Sequence, residues 1–542
     1  MGRFLVLTAM LVLFLVSSYN VFAREDMPMM IPQDHGLIPL PYKMPPMPVS
    51  PDGGARPEGP SMNSLLARED ALVAWIGANV SPQTGMFLSF QVLPGEKGLV
   101  YGGMGDALSV PGVIERVIVE EGLDIYDGAI GQIVLTLAGG QEGIEKARHP
   151  LDIYWKGKFG DLSSIRAGFP NYNFIYDPQA PERVTSALDA EGRRGFIFRI
   201  INAHGHYLAA DPLDGKKRMD GFPSSTDIHV EDWKPVAGEN AWVVIAAMQL
   251  YHKKYFDLAA GRYQHPDHAV ELLLAEELAR AALVLQAETG GIRMAPLGTF
   301  RENDTALASG PGSWWYNQIS TENNLSWYGA FRMLYQVTHK EVYRQAMQDL
   351  EKFFKQVYDP AKHIFYQGMT HTADGWRVNG KDFALDVQTW GILSLGAATL
   401  DAWFGEGTAY AFWEKSREYA GAFNGQGQLI GVGYTQEHGR VSVEWSAGAI
   451  MAARELAVLY RDAHPDWSLS AIRDADAMRL GLESLRRDLP GGQTAYAYSS
   501  RRGWIPFGWN SHDPRVMSLA STGWMFFVAR QYNPFWMDGQ SR

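Results

Sequence analysis

The chain has 542 residues, 46% of them hydrophobic and 20% charged, a composition that excludes disorder for the bulk of the chain. Its formal net charge of −12 and its pI near 5.6 argue against a nucleic-acid partner, which would require a basic face. The absence of cysteine excludes disulfides, thiolate metal sites and a cysteine nucleophile.

The first 23 residues have the features of a secretory signal peptide. Arg3 precedes an apolar run from Phe4 to Val16, and the triplet VFA predicts cleavage after Ala23. The apolar run is shorter than the roughly 20 residues that a membrane-spanning helix needs, so an uncleaved anchor is the second interpretation. We therefore expect export from a bacterial-type cell, to the periplasm or the outside, with no integral membrane span after signal removal.

Residues 24–60 are rich in proline and glycine, as in PYKMPPMPVSPDGG at 41–54. This composition does not form a packed element, so the segment is predicted to be an extended linker or a strap on the surface. Helical patterns begin at residue 61 and continue to residue 536, which we expect to form one domain.

Two kinds of helical pattern alternate along this domain. The first kind carries charges on one face, as helices with a solvent side do, and occurs at 62–79, 141–156, 267–288, 341–358, 408–423 and 468–488. The second kind is apolar nearly all round and rich in Gly, Ala and Ser, and occurs at 125–140, 239–255, 321–337, 386–400, 444–460 and 518–532. Six buried helices alternating with six half-exposed ones predict an all-α fold, an (α/α)6 toroid whose inner ring is wrapped by an outer ring.

One interval in this pattern is too long for a simple connection. About a hundred residues separate the first buried helix from the second. The stretch RRGFIFRIINAHGHYLAADP at 193–212 predicts a strand, a turn and a further strand. We expect a small β-containing insertion at about 157–235 that covers one mouth of the ring.

In such a toroid the inner helices all run the same way, so their N-termini meet at one mouth. Acidic side chains stand at five of the six predicted starts, with carboxamides and indoles close behind them. The candidate site residues are Asp127, Glu239, Asn240, Trp242, Glu322, Asn323, Asn324, Trp327, Asp386, Gln388, Trp390, Glu444 and Trp445.

Each of these residues taken singly has a structural explanation. Acidic side chains are favoured at helix N-termini, where they accept hydrogen bonds and meet the positive end of the helix dipole, and tryptophan is a common core residue. Capping explains the whole set less well, because caps favour Ser, Thr, Asp or Asn over Glu and because capping does not involve tryptophan. A mouth lined with carboxylates, amides and indoles instead suits a carbohydrate, whose rings stack on indoles and whose hydroxyls bond to amides.

Hydrolysis of a glycosidic bond needs one carboxylic acid to protonate the leaving oxygen and one carboxylate to activate water or attack the sugar. Burial beside other carboxylates and indoles raises the pKa of one member of such a pair and makes it the acid. Neighbouring inner helices lie roughly 8–10 Å apart, which leaves room for a water molecule and favours inversion of configuration.

The span from about 62 to 535 resembles the six-hairpin glycosidase superfamily. The resemblance is carried by STENNL at 320–325, by ALDVQTWG at 384–391 and, more loosely, by VEWSAG at 443–448. It implies a bacterial exported glycoside hydrolase acting on a poly- or oligosaccharide. On this basis the hypothesis is that Glu322 is the general acid and Asp386 the base, with Glu444 as the substitute for either role, while the other residues of the set bind the substrate.

Three alternatives remain open from the sequence. The superfamily also contains lyases and epimerases, and a uronic-acid polymer could be held by the cationic group Arg501, Arg502, His512 and Arg515 near the last inner helix. A non-catalytic polysaccharide-binding or export protein could also have kept the toroid.

The pairs HGH at 204–206 and HPDH at 265–268 lack a third ligand at a suitable spacing, so we expect neither a metal nor a cofactor. The oligomeric state is not predicted.

Overall fold

The computed structural model of the protein describes residues 62–99, 101, 110–159, 196–197, 199–204, 235–266, 268–296, 314–380, 383–505 and 509–539. The predicted signal peptide at 1–23 and linker at 24–60 lie outside the described residues, as does most of the predicted insertion at 157–235. Residues Leu65–Arg542 form one compact unit.

Helices dominate the described structure. In chain order they are α1 (Met62–Ala78), α2 (Val110–Glu121), α3 (Ile125–Ala138), α4 (Gly140–Phe159), α5 (Ala237–Tyr255), α6 (Val270–Val284), α7 (Thr321–Thr338), α8 (Glu341–Val357), α9 (Leu385–Trp390), α10 (Ala397–Phe404), α11 (Thr408–Ala420), α12 (Val443–Leu459), α13 (Pro465–Leu482) and α14 (Leu519–Arg530). A π-helical turn (Gly391–Leu395) follows α9, and a 3-10 turn (Glu483–Leu485) follows α13.

The strands are short and lie between the helices. They are β1 (Phe90–Val92), β2 (Gly122–Asp124), β3 (Ile200–Asn202), β4 (Phe256–Asp257), β5 (Arg262–Tyr263), β6 (Gln318–Ser320), β7 (Tyr358–Asp359), β8 (Ile364–Phe365), β9 (Gly368–Thr372), β10 (Gly375–Val378), β11 (Gly421–Phe423), β12 (Leu429–Val432), β13 (Arg486–Leu489), β14 (Gln493–Tyr496), β15 (Gly503–Ile505), β16 (Trp509–Ser511) and β17 (Val516–Ser518). All described pairings are antiparallel. Strand β1 pairs with β17, and β2 pairs with β3. Strands β6, β9 and β10 form a three-stranded sheet, and the remaining strands form hairpins of consecutive strands.

Six helices close into an inner ring, in the order α3, α5, α7, α9, α12 and α14. Each packs against the next, and α14 packs back against α3. The outer layer consists of α1, α4, α6, α8, α11 and α13, and Glu69 of α1 pairs with Arg530 of α14 at 3.1 Å. This closure confirms the predicted all-α fold, an (α/α)6 toroid with small sheets.

The composition of each helix explains its layer. Along α5, every residue from Ala237 to Tyr251 except Glu239 is buried, so this helix is enclosed on nearly all sides. Small residues allow the inner helices to approach closely: a Cβ on Gly523 of α14 would lie 2.2 Å from Cγ2 of Ile130 on α3. The outer helix α8 buries one stripe at a spacing of three and four residues, namely Tyr343, Ala346, Leu350, Phe353, Phe354 and Val357.

The prediction of one continuous inner helix at 386–400 was wrong. Helix α9 ends at Trp390, a π-helical turn follows, and Gly396 with a φ of 92° separates that turn from α10. The carbonyl groups of Leu393 and Ser394 accept hydrogen bonds from side chains of other segments instead of completing the helical ladder. These partners are distant in sequence, so the local pattern does not show the break.

The segment 531–537, which follows α14, turns back into the ring at the end opposite to the helix N-termini; we call it the C-terminal plug. Its Phe535 is fully buried, with ring centroids 5.0 Å from Trp242 and 5.4 Å from Trp390. Arg332 of α7 donates to the carbonyl of Phe535 at 2.8 Å, and its guanidinium lies 3.3 Å from the ring centre of Trp536. Side chains of the plug therefore fill this end of the ring.

Candidate active site

Five of the six inner helices carry an acidic side chain in their first turn. These side chains are Asp127 of α3, Glu239 of α5, Glu322 of α7, Asp386 of α9 and Glu444 of α12. The carboxyl of Glu322 lies close enough to Asp386, Glu239 and Glu444 for each of them to raise its pKa. The structure therefore brings together the carboxylates that the sequence placed at one mouth.

Serine residues, and not these glutamates, cap the two helices that carry Glu322 and Glu444. The hydroxyl of Ser320 accepts the N–H of Asn323 at 3.3 Å, and the hydroxyl of Ser442 accepts the N–H of Trp445 at 3.3 Å. Both glutamates stand two residues after the cap. Capping therefore does not account for their position.

Replacing Ser320 with alanine is expected to lower the free energy of unfolding by about 1 kcal/mol, because the first turn of α7 loses its side-chain acceptor. The E322Q variant should show no such loss, since no described backbone N–H donates to the Glu322 carboxyl. Denaturant unfolding of both variants at pH 6 measures the difference. An equal loss in E322Q would return Glu322 to a capping role.

The environment of Glu322 favours its protonated form. Burial raises its pKa well above the ordinary value of 4.5, and the carboxylates of Asp386 and Glu239 raise it further. The hydroxyl of Ser326 donates to Oε1 at 3.3 Å and opposes this shift. Glu322 is thus a carboxyl that its surroundings prepare to give a proton.

Three other carboxyls of the mouth have pKa values near neutrality. Burial raises the pKa of Asp386 to about 7, and the backbone N–H of Val387, which donates to Oδ1 at 2.8 Å, opposes the shift. Burial also raises the pKa of Glu444 to about 7 and that of Asp127 to about 8, opposed by hydrogen bonds from the hydroxyls of Tyr126 and Ser89 respectively. When neighbouring carboxyls have different pKa values, the one with the higher pKa can act as an acid and the one with the lower pKa as a base.

One arginine that was not predicted as a site residue, Arg199, lies at this acidic mouth. Arg199 precedes β3, and the pairing of β3 with β2 brings it to 3.4 Å from Glu239 and 3.9 Å from Asp124. Asp124 itself caps α3 by accepting the N–H of Tyr126 at 3.0 Å. Because Arg199 lies about 75 residues after Asp124 in the chain, only the β2–β3 pairing reveals the contact.

Three of the predicted amides hold the backbone in place. In each, the side-chain oxygen accepts a hydrogen bond from the backbone N–H of one residue in the segment before the helix. The side-chain nitrogen donates to the backbone C=O of that same residue. The pairs are Asn240 with Ile197, Asn324 with Ile292 and Gln388 with Phe365, at distances between 2.6 and 3.1 Å. The polar atoms of these three side chains are thus hydrogen-bonded within the protein. They hold the backbone and are not placed to bind sugar hydroxyls, the role that the sequence had led us to expect.

Asn323 is the predicted amide that keeps an unused donor. It is buried, and its Nδ2 has no hydrogen-bond partner among the described residues. Its Oδ1 would lie 2.3 Å from a Cβ added to Gly238, so the amide is packed tightly against the start of α5. An unpaired buried donor beside Glu322 is a group that a sugar hydroxyl could satisfy.

The predicted indoles lie beneath the carboxylates as a packed layer. Trp242 contacts Trp390 at 5.3 Å and Trp524 at 6.0 Å between ring centroids, and all three are buried. Trp327 is fully buried and donates to the carbonyl of Ala237 at 2.9 Å. The remaining predicted indole, Trp445, is also buried, and its ring packs edge-on against Tyr434 at 4.8 Å.

Three of the four residues considered for binding a uronic-acid substrate, Arg502, His512 and Arg515, contact other carboxylates. Arg502 and His512 both contact Glu115, at 2.7 Å and 3.0 Å. Arg515 pairs with Asp513 at 2.6 Å. These cations therefore have acidic partners outside the carboxylate mouth.

The described residues contain neither a cluster of metal ligands nor a membrane-spanning helix. Within the described ranges, no group of three or more His, Asp or Glu side chains is arranged to hold a metal ion. Among the described helices, none combines the length and the apolar character needed to cross a bilayer.

Several solved structures are similar to this chain in fold. A sugar epimerase from a ruminal bacterium aligns with a TM-score of 0.50 and 12% identity, over 86% of this chain and 98% of its own. A D-mannose isomerase aligns with a TM-score of 0.50 and 11% identity, over 88% and 99%. A cellobiose 2-epimerase from Bacillus thermoamylovorans aligns with a TM-score of 0.50 and 12% identity, over 86% and 98%.

The similarity shows the fold of the chain, an (α/α)6 toroid. No protein-family model matches the chain, and no curated protein matches it.

Proposed function

We propose that the protein is an exported glycoside hydrolase that cleaves glycosidic bonds of a neutral poly- or oligosaccharide by carboxylate acid/base catalysis with inversion. One observation carries the proposal: Glu322, whose environment holds it protonated, shares a mouth with Asp386 and Glu444, each with a pKa of about 7. Such a set supplies both an acid for the leaving oxygen and a carboxylate for water.

In this proposal Glu322 is the general acid. The base is Asp386, as expected from the sequence, or Glu444, on the inner helix that follows. Asp127 and Glu239 line the mouth beside them, and Asn323 offers a donor to a sugar hydroxyl. Because the indoles lie beneath the carboxylates, their role is to support the site.

The charge of the mouth supports a neutral substrate. Five acidic side chains gather there, and Arg199 is the cation among the described residues that pairs with two of the surrounding carboxylates. A uronic-acid polymer needs cations to bind its carboxylates, and Arg199 is already paired with two acidic side chains. The signal peptide predicted at 1–23 supports export, which would bring the enzyme to extracellular or periplasmic polysaccharide.

Epimerisation of a neutral sugar is the second candidate. Two of the structures similar in fold are named sugar epimerase and cellobiose 2-epimerase. That reaction needs a base to remove a proton next to a carbonyl group, and a carboxylate with a pKa near 7 or 8 can serve. The two candidates differ in their products.

Incubation with a panel of polysaccharides tests the proposal. We expect new reducing ends from a neutral polymer such as a mannan, xylan or β-glucan, an inverted anomeric configuration in the first product, and no reaction with alginate or pectin. Epimerisation would convert an oligosaccharide without adding reducing ends and would incorporate solvent deuterium into the sugar. Binding without any conversion would favour the non-catalytic alternative, and an unsaturated, ultraviolet-absorbing product would identify a lyase.

A further inference from the structure

A chain of two hydrogen bonds links three inner helices at the mouth. Nε1 of Trp524 on α14 donates to the hydroxyl of Tyr126 on α3 at 2.7 Å. That hydroxyl in turn donates to Oε1 of Glu444 on α12 at 2.5 Å. Glu444 was a predicted site residue, whereas Tyr126 was not.

The direction of this chain follows from chemistry. An indole N–H can only donate, so it takes up a lone pair of the Tyr126 oxygen, and the tyrosine proton points to Glu444. A hydrogen bond to an ionised carboxylate is stronger than one to a neutral carboxyl, so the arrangement favours the ionised form of Glu444. Among the described residues no other side chain or backbone group donates to Glu444, which leaves Oε2 to accept a proton.

Asp386 is placed differently. It lies on the inner helix adjacent to that of Glu322, and its charge is the largest contribution from a neighbouring group to the raised pKa of Glu322. Its Oδ1 accepts a backbone N–H at 2.8 Å. Glu444 lies one helix further round the ring and affects Glu322 less. Glu444 is thus separated from the acid by one further inner helix, and its Oε2 receives no hydrogen bond from the described residues.

We propose that Glu444 is the base that activates water opposite Glu322, and that Tyr126, oriented by Trp524, is its positioning residue. The proposal rests on the proposed glycoside hydrolysis. Oε2 of Glu444 takes a proton from water while the water oxygen bonds to the anomeric carbon. Glu322 gives its proton to the leaving oxygen as the glycosidic bond breaks, and exchange with solvent restores both carboxyls. Asp386 acts through Glu322, whose proton its negative charge helps to retain.

The pH dependence of Glu444 is set by several groups. Besides Tyr126, the titratable side chains that interact with it are Asp124, Asp127, Glu322, Asp386 and Tyr434. The Y126F variant keeps all of these groups and removes one hydroxyl. Its effect therefore reports on the hydrogen bond to Glu444.

The test compares pH profiles of kcat/KM on the polysaccharide that the panel identifies. In Y126F the acidic limb should move up by on the order of one pH unit, because Glu444 loses the bond that favours its ionised form. The variant should consequently lose roughly tenfold in activity at pH 6 and only about twofold at pH 8. Tyr328 offers a matched control, since its hydroxyl donates to Glu351 at 3.2 Å away from the carboxylate mouth, and Y328F should leave the profile unchanged.

Two further variants separate the roles of Asp386 and Glu444. E444Q should lose about 10³-fold in kcat, whereas D386N should remain active and move its alkaline limb to lower pH, because Glu322 then loses its proton more easily. A uniform loss in Y126F at every pH would overturn the positioning role. Substantial activity in E444Q together with none in D386N would make Asp386 the base and overturn the proposal.

A measurement without substrate keeps the two proposals distinguishable. The carboxyl carbon of Glu444, labelled with ¹³C and identified by its absence in E444Q, can be titrated by NMR in the wild type and in Y126F. A higher titration midpoint in Y126F supports the positioning contact even if no glycan is hydrolysed, in which case only the role as base falls with the proposed function. An unchanged midpoint overturns the contact itself.

Discussion

The E322Q variant is expected to lose about 10²–10⁴-fold in kcat on a natural glycan while it still binds that glycan. Glutamine keeps the shape of the side chain and cannot protonate the leaving oxygen. Burial and the surrounding carboxylates raise the pKa of Glu322 well above its ordinary value, which favours the protonated side chain in the wild type. Steady-state kinetics and isothermal titration calorimetry measure the two quantities separately.

The leaving group provides the sharpest control for this prediction. A glycosyl fluoride departs without protonation, so E322Q should hydrolyse it at a rate near that of the wild type. Glu341, an exposed acid in the first turn of α8, is the matched control, and E341Q should behave as wild type on both substrates. An equal loss on the fluoride and the natural glycan would show that Glu322 does not act as the acid.

The same variant has a consequence for stability. A carboxyl whose pKa is raised in the folded state contributes stability below its unfolded pKa, and this contribution is lost as the pH rises through the folded pKa. The pKa values of about 7 for Asp386 and Glu444 therefore predict falling stability between about pH 4 and pH 7. E322Q removes one ionisable group from this cluster, so it should be at least as stable as the wild type at pH 8.

The toroid could be predicted from the sequence because the composition of each helix indicates how much of its surface is buried. The inner helices are apolar on all sides and the outer ones on one, so the bounds of α5, α7 and α12 fall within two residues of their predicted starts and ends. The same logic located the acidic first turns. Parallel helices in a closed ring bring their N-termini together whatever their separation in the chain.

The contacts within the mouth could not be predicted in this way. Whether an amide faces a ligand or its own backbone depends on the segment before the helix, and that segment satisfies Asn324 and Gln388. Tyr126 reaches Glu444 across 318 positions in sequence, and Arg199 depends on a strand pairing. The spacing of apolar residues along the sequence predicts which face of a helix is buried. It does not predict which distant side chain contacts that face.

Replacing Arg332 with methionine is expected to lower the free energy of unfolding by about 2–4 kcal/mol, because two buried carbonyl groups lose their donors. The guanidinium donates to Ser394 at 2.7 Å and to Phe535 at 2.8 Å, and it stacks on Trp536. Methionine preserves most of the apolar stem of the side chain and none of these hydrogen bonds. Denaturant unfolding followed by tryptophan fluorescence measures the loss.

Arg344 on α8 is the matched control, since it forms only a surface pair with Glu341 in the described structure and R344M should change stability little. Below its own transition, R332M should retain kcat, because Arg332 holds the C-terminal plug while the carboxylates stand at the opposite end of the ring. If R332M lost activity without losing stability, the plug would act on the chemistry through the Trp242 and Trp390 layer that rests on Phe535. If stability fell no further than in R344M, the plug would not be a structural element of the toroid.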